Sequence, residues 1–497
     1  MKHVTRVSIA SAVSVHPALI PALTVALAAL APLAFPQAAH AQQQLWITQF
    51  GSDTTERIED MGWSWSSLYI TGSTTGDLGG ASSGGRDAFL ARIEPSTGDR
   101  VWVRQFGTAE DDEALAFTRG VVVGRTKGNL GGPNAGSGTW DAFVARYDGD
   151  GNQLWIRQFG TAADDEALAV VVSLGFRDII VAGRTRGSLG GPSAGNFDVF
   201  LAGYDFDGNQ LWMRQFGSDG DDSARALARA SNSDGALVVG NTTGSLGGPN
   251  AGASDVFLAL CDRAGNQLWV RQFGTPQSDT AEGVSTTYGS SFYVVGGTKG
   301  SLGGPSAGSI DAFVARYERN GTQRWIRQFG TPEPDTAYSI TPNTVGGVRV
   351  AGMTSGSLGA PNAGGQDAFV VSYDRDGEQR WARQFGTPEN EGAFAITKGH
   401  TAGGYLVGGI TRGNLGGPSA GEWDIFLANF GDALCEYADC CSGTGLGVLD
   451  IHDFLCFQNN FVRGQPYACD CDISTGPGVC DIFDFLCFQN AFVVGCH

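Results

Sequence analysis

A W-x-R-Q-F-G string returns seven times, with its tryptophan at Trp46, Trp102, Trp155, Trp212, Trp269, Trp325 and Trp381, about 56 residues apart. Arg holds the third position in six copies and Thr48 in the first. A second mark, Asp-Ala-Phe or a close variant, opens at Asp87, Asp141, Asp198, Asp255, Asp311, Asp367 and Asp424. Equal numbers of both marks leave seven complete units between residues 45 and 430. A period of this order signals a solenoid, an array or a propeller, and the content of the unit decides which.

In the unit that starts at Trp155, a short strand (Trp-Ile-Arg-Gln-Phe) leads through a turn at Asp164-Asp165 to an Ala/Val stretch. A β-branched run around Ile179, Ile180 and Val181 follows, then a Gly/Ser/Pro loop and the strand that opens at Asp198. Asp207-Gly208 turns the chain into the next tryptophan strand, as do Asp150-Gly151, Asn320-Gly321 and Asp376-Gly377 in their units. Such pairs between apolar runs mark tight hairpins, because a type I′ turn needs positive φ at both central residues. No window shows helical period. Each unit therefore reads as four short antiparallel strands, and a unit of that size buries its faces only against neighbours.

These features predict an all-β fold, a seven-bladed β-propeller of four-stranded antiparallel blades over residues 42–430. The chain enters this region on a tryptophan strand and leaves it on the strand opening at Asp424. The first strand should therefore complete the last blade, which removes two open edges. Trp, Arg and Phe of the repeated string share one strand face by period two. We expect Trp and Phe to wedge between blades and Arg to lie on an aromatic ring or an acid, since a residue present in every blade serves packing. With its V-x-G-x-T strand and Trp strand, the unit resembles the bacterial seven-bladed propeller repeats known as SBBP repeats. That resemblance implies the fold and little about function. The string Thr97-Gly98-Asp-Arg-Val-Trp102 also looks like the tryptophan-docking string of quinoprotein dehydrogenases. Those propellers usually have eight blades and many carry adjacent cysteines, whereas this region holds Cys261 alone.

The ends differ in composition. Residues 1–41 read as a secretory signal peptide: Lys2 and Arg6, an apolar stretch, then Ala39-His40-Ala41. No membrane span is expected after its cleavage, and the expected location is extracellular or on the cell surface. A formal net charge of −19 argues against nucleic acid or anionic lipid as partner. Nine of the ten cysteines fall between Cys435 and Cys496, which predicts a small disulfide-rich module at residues 431–497.

That module repeats Asp450-Ile-His-Asp453-Phe-Leu-Cys-Phe-Gln-Asn459 as Asp481-Ile-Phe-Asp484-Phe-Leu-Cys-Phe-Gln-Asn490, each after a Gly-rich acidic loop. An oxygen-rich loop entering a short helix is EF-hand-like calcium chemistry. The pair resembles a dockerin domain, more narrowly the Cys-rich dockerin-like ends of bacterial secreted proteins that close on Gly-Cys, here Gly495-Cys496-His497. Calcium is expected from Asp472, Ser474, Asp481 and Asp484, in a loop one residue longer than the family's. In the first copy Cys441 replaces Asp472, so Asp439, Asp450 and Asp453 form a weaker set that turn and helix capping explains as well. A cohesin-like or cell-envelope partner would suit this tail.

Other chemistry is thin. Beyond the signal segment the histidines are His400, His452 and His497, too dispersed for a zinc site or a triad. The acid pairs Asp111-Asp112, Asp164-Asp165 and Asp221-Asp222 recur at one place in the unit and read as turn caps, or as a structural cation site. The Gly-Gly-Pro loops lack the Lys-Ser/Thr ending of a phosphate loop. The resulting expectation is a binding or display propeller for a protein or glycan ligand, not an enzyme and without a catalytic or cofactor residue. A carbohydrate-active or quinone-dependent enzyme and a structural envelope protein are the alternatives. Departures from the repeat such as Trp63, Trp65 and Trp140 are aromatic and could line a sugar site.

Overall fold

A computed structural model describes residues 43–431, apart from 174–176, 231–234, 288–290, 345 and 401–402. The signal-peptide reading, the disulfide-rich α module and its calcium candidates (Asp439, Asp450, Asp453, Asp472, Ser474, Asp481 and Asp484) lie outside the described residues. Within them, 28 strands, β1 to β28 in chain order, form seven four-stranded antiparallel sheets, and there is no helix. The first blade is β2 (Glu56–Ser64), β3 (Ser67–Thr74), β4 (Asp87–Ile93) and β5 (Arg100–Phe106), in that spatial order. We call these positions a to d; the a strands of successive blades touch one another around the ring.

The a strands of the next five blades are β6 (Asp112–Thr118), β10 (Asp165–Ser173), β14 (Asp222–Arg229), β18 (Asp279–Thr286) and β22 (Asp335–Pro342). The seventh blade is β26 (Glu391–Lys398), β27 (Tyr405–Thr411), β28 (Asp424–Gly431) and β1 (Gln43–Phe50). Strand β1 pairs with β28 in register from Trp46↔Asn429 to Phe50↔Ile425, so the first strand does complete the last blade. A blade's d strand and the a strand after it thus belong to different sheets, which staples each blade to the next.

Burial falls from the middle of a blade to its rim. Strands b and c are covered on both faces by neighbouring blades, and β3 is buried at every position. This is why their sequences read as continuous apolar runs rather than alternating ones. The d strands are half-open, with their first two residues exposed. The d-strand Phe106 wedges between blades against Phe143 and Tyr147 of the next, at ring separations of 6.2 and 5.7 Å.

Two repeated residues have roles that the sequence marks did not disclose. Gln105 donates to the Gly76 carbonyl and to Asp87 Oδ2, at 2.9 and 2.8 Å, and accepts from the Leu78 and Gly79 amides. The Asp of Asp-Ala-Phe and the Gln of R-Q-F therefore fasten the b–c glycine loop to the outer strand. Gln49 rebuilds the same network across the seam with Gly413, Asp424, Leu415 and Gly416.

The tryptophan docks on the following blade's c–d hairpin. The Trp155 indole N–H donates to the Phe206 carbonyl at 2.9 Å, and Trp325 to the Arg375 carbonyl at 3.0 Å. The hairpin glycine lies flat on the indole: Gly208 has φ +81°, and a Cβ there would stand 2.7 Å from the Trp155 ring. The glycine thus answers two demands at once, positive φ and close approach. The adjacent arginine covers its own tryptophan, as Arg157 does at 5.6 Å, in keeping with the packing role read from the sequence. Trp381 faces the seam, where no hairpin exists, and stacks on Tyr405 at 5.9 Å instead.

A variable belt of side chains at the propeller axis

Every a strand carries a β-bulge at the same place. In β2 the pairing to β3 steps from Ile58↔Gly72 to Asp60↔Thr71 and leaves Glu59 unpaired. The equivalent extra residues are Leu115, Leu168, Arg225, Glu282, Tyr338 and Phe394. The glycine of the V-x-G-x-T strand makes the bulge possible. A Cβ on Gly72 would lie 1.9 Å from the Arg57 carbonyl oxygen, and one on Gly183 1.8 Å from that of Glu166. Only glycine lets the bulged backbone come so close.

The bulged side chains follow one another round the innermost ring. Tyr338 and Phe394 pack with ring centroids 4.9 Å apart. The Arg57 guanidinium lies 5.5 Å over Phe394 and pairs with Glu59 at 2.5 Å. The positive charge of Arg225 acts on Glu282 against the effect of its burial. Leucines at Leu115 and Leu168 make the remaining side apolar. The belt is thus charged and aromatic on one side and aliphatic on the other, on a backbone that repeats seven times.

Burial tunes the acids of this belt. Desolvation raises the Glu59 carboxyl to about 7, against the opposing pull of Arg57. It raises neighbouring Asp60 to about 6, although the Phe117 and Met61 amides donate to its carboxylate at 2.9 and 2.7 Å. Asp60 also satisfies backbone across the blade boundary, since Phe117 belongs to β6. Glu282 is shifted upward by burial too, and the Tyr338 hydroxyl is pushed up to about 12. A carboxyl poised near neutrality beside a guanidinium and two rings can bind a polar ligand or exchange a proton with one.

Beside the belt runs an ion-pair chain across three blades. Arg86 and Arg125 both hold Glu113, Arg125 also reaches Glu166 at 2.8 Å, and Arg184 completes Glu166 at 2.7 Å. The two glutamates are buried, so each depends on its guanidinium partners.

The residues singled out from the sequence do not converge. Trp65 stands in the β2–β3 turn at φ +48° and is 54 % exposed. Trp63 donates to the Lys398 carbonyl at 2.8 Å and stacks on His400. Trp140 lies in the loop before Asp141, at the opposite end of the strands, under the cations of Arg125 and Lys127. The acid pairs act as caps: Asp112 Oδ2 accepts from the Thr108 amide and hydroxyl, and Asp111 pairs with Lys127 at 3.0 Å. No group of three or more metal-ligating side chains occurs among the described residues. Sequence reading missed the belt because it followed what repeats. Aligning the units on Ala114, Ala167, Ala224, Ala281, Ala337 and Ala393 exposes the next column as the variable one.

No protein-family model matches the chain. Regulatory protein FlaEY of Caulobacter vibrioides is 27% identical over 325 residues, which is 57% of this chain and 33% of that protein. The chain thus spans about a third of that relative's length. Among solved structures, quinohemoprotein alcohol dehydrogenase from Comamonas testosteroni has a TM-score of 0.44 at 11% identity, covering 78% of this chain and 76% of its own. Puromycin hydrolase has a TM-score of 0.43 at 13% identity, covering 72% and 51%. The expectation that the protein is not an enzyme does not stand: a propeller without a His, Cys or metal constellation gives no ground for denying catalysis.

Proposed function

We propose that this is a ligand-binding propeller of the SBBP-repeat type, exported and held at the cell surface by its dockerin-like tail. Recognition belongs to the axis belt. The observation that supports this is the contrast within one backbone position: the bulge recurs seven times while its residue changes from Glu59 to Leu115, Leu168, Arg225, Glu282, Tyr338 and Phe394. A purely structural column would repeat, as Trp, Gln and Asp do. A relative named as a regulatory protein accords with a binding role. The belt's mixture of rings, carboxyls and guanidinium suits a polar ligand such as a glycan or a peptide side chain. The test is a glycan and peptide array probed with the intact protein and with Tyr338→Ala and Phe394→Ala. An identical binding profile for all three would remove the belt from recognition.

Glu59 supports a second reading. Its carboxyl near 7 suits a proton acceptor in a reaction at the axis. Any turnover found for the protein should then fall by two orders of magnitude or so in Glu59→Gln. Binding without turnover, unchanged in that variant, would reject this reading and leave the first.

For the tail, deletion of residues 435–497 should release a folded propeller into the medium. Retention on the cell equal to that of the intact chain would refute the tether. Calcium should raise the melting temperature of the tail through Asp472, Ser474, Asp481 and Asp484, with Asp484→Ala removing most of the effect.

A further inference from the structure

A second site lies away from the axis, on the rim between the fifth and sixth blades. There the hairpin joining β20 (Asp311–Tyr317) to β21 (Gln323–Phe329) meets the one joining β24 (Asp367–Tyr373) to β25 (Gln379–Phe385). The two enclose an open cleft of about 760 Å³, within the range of small-ligand sites. Arg316, Arg319, Arg324 and Arg375 line it, against the acids Glu318 and Asp376. In a chain of net charge −19 this is a local excess of positive charge.

The repeat shows which of these arginines the fold itself requires. Arg316 donates to the Arg375 carbonyl at 2.8 Å, as Arg146 donates to the Phe206 carbonyl at 2.7 Å in blades away from the cleft, so its role is structural. Arg324 stands where other blades expose Leu154, Leu211 and Leu268, and it is held by Glu318. Arg375 occupies the place of Gly149, Phe206 and Arg263. Arg263 pairs with the buried Asp178 at 2.9 Å, whereas the Arg375 guanidinium has no ion pair among the described residues. Its backbone is nevertheless fixed, because its carbonyl accepts from both Trp325 and Arg316. Arg375 is thus a charge on an anchored hairpin, with Arg324 across the cleft from it.

We infer that this cleft binds a compact oxyanion carried on a saccharide, a uronate carboxylate or a sugar sulfate, with Arg375 and Arg324 as its charged contacts. The anion must be compact, since the protein's overall negative charge repels a long polyanion. The remaining lining, Ser291 and Asn320 with the edge of Trp325, offers hydrogen-bonding groups to sugar hydroxyls and little apolar surface for a peptide.

Calorimetric titration of the full chain with digalacturonate, with a sulfated disaccharide and with neutral galactobiose tests this. One of the two acidic sugars should bind and the neutral one should not; which acidic sugar binds identifies the oxyanion. Arg375→Gln and Arg324→Leu should each weaken binding roughly tenfold or more, the loss expected for a charge-assisted contact. The second variant installs the residue three other blades carry, so it should fold normally. Equal binding of galactobiose, tighter binding of hexaglutamate or inorganic sulfate than of the sugars, no binding by either acidic sugar, or unaltered affinity in Arg375→Gln and Arg324→Leu would each overturn the inference.

Discussion

The outer lattice and the axis belt are built on the same seven backbones and use them in opposite ways. On the rim, the Gln and Asp of each unit make the same contacts blade after blade, the Trp of every unit but the one at the seam docks on the next hairpin glycine, and Gln49 repeats the Gln contacts between the propeller's first and last strands, 375 residues apart in its bond to Asp424. At the axis, a bulge made possible by an equally regular glycine presents a different residue in each blade. Repetition marks a demand that every blade shares. The bulge releases one position per blade from that demand, and there the ring loses its symmetry.

The largest effects should come from breaking the lattice. Gln272 and Gln49 each make four hydrogen bonds, to Gly244, Asp255, Leu246 and Gly247 in one case and to the seam in the other. Replacement of either by Ala leaves the buried Asp one donor short and strands two loop amides, and should cost about 3 kcal/mol in urea unfolding. Equal losses would show that the seam is as firm as a continuous blade. A cost at Gln49 near zero would show that β1 frays and that the ring is not held closed by this strand.

Glycines sharpen the comparison by separating conformation from packing. Gly208 and Gly138 have φ of +81° and +77°, but a Cβ at Gly208 meets the Trp155 ring while one at Gly138 meets nothing within 4 Å. Gly138→Ala should cost about 1 kcal/mol, the left-handed penalty alone. Gly208→Ala should cost about 2 kcal/mol more, through the displaced indole. Similar costs at both sites, measured by denaturant titration, would show that close approach to the indole contributes nothing.

The fold was legible because its signals are local and repeated. Asp207-Gly208 names a hairpin, seven equal counts name the blade number, and the unmatched strands at the two ends name the closure. The belt was not legible for the same reason. Glu59 or Tyr338 carries no motif, and its exposure to the axis depends on a bulge whose cause, the Gly72 or Gly352 approach to a facing carbonyl, is a contact between strands. The roles of Gln105 and Asp87 were hidden likewise, since a polar residue in a repeated string does not say which loop it holds. The expectation of no catalysis failed because it rested on motifs of histidine, cysteine and metal, whereas the raised carboxyls of Glu59 and Asp60 come from burial, which no motif records.

Those carboxyls give the belt a pH dependence that the rim glycines and tryptophans lack. The folded-state value of Glu59 lies above its ordinary 4.5, at about 7, so folding favours its protonated form. Its contribution is full below about pH 4.5 and is lost as pH rises through 7, with Asp60 acting in the same direction around 6. The propeller should therefore lose about 2 kcal/mol of stability from this residue between pH 5 and pH 8. Glu59→Gln should flatten that slope in thermal melts across the range. A slope unchanged in the variant would place the sensitivity in Asp60, in Glu282 or in the capping acids Asp112, Asp165, Asp222 and Asp335, whose carboxyls burial also raises.

The smallest effects should come from substitutions within the belt. Tyr338→Phe removes a hydroxyl that stands 3.8 Å from the Met353 sulfur, a weak acceptor. It should change stability by no more than about 0.5 kcal/mol. Phe394→Leu places at the seventh bulge the residue that the second and third already carry, and gives up one ring pair and one cation–π contact, at 4.9 and 5.5 Å. Its cost should stay near 1 kcal/mol. A leucine at this bulge is compatible with the fold, as Leu115 and Leu168 demonstrate, so a cost of about 3 kcal/mol or more in urea unfolding, the range of a truncated core aromatic, would mean that the ring relies on the particular residue each blade presents. The belt would then be part of the lattice, and its variation would record packing differences between blades. A cost within the expected range leaves the identity of the bulged residue free of any structural demand, which is the condition under which seven blades can diverge toward one ligand.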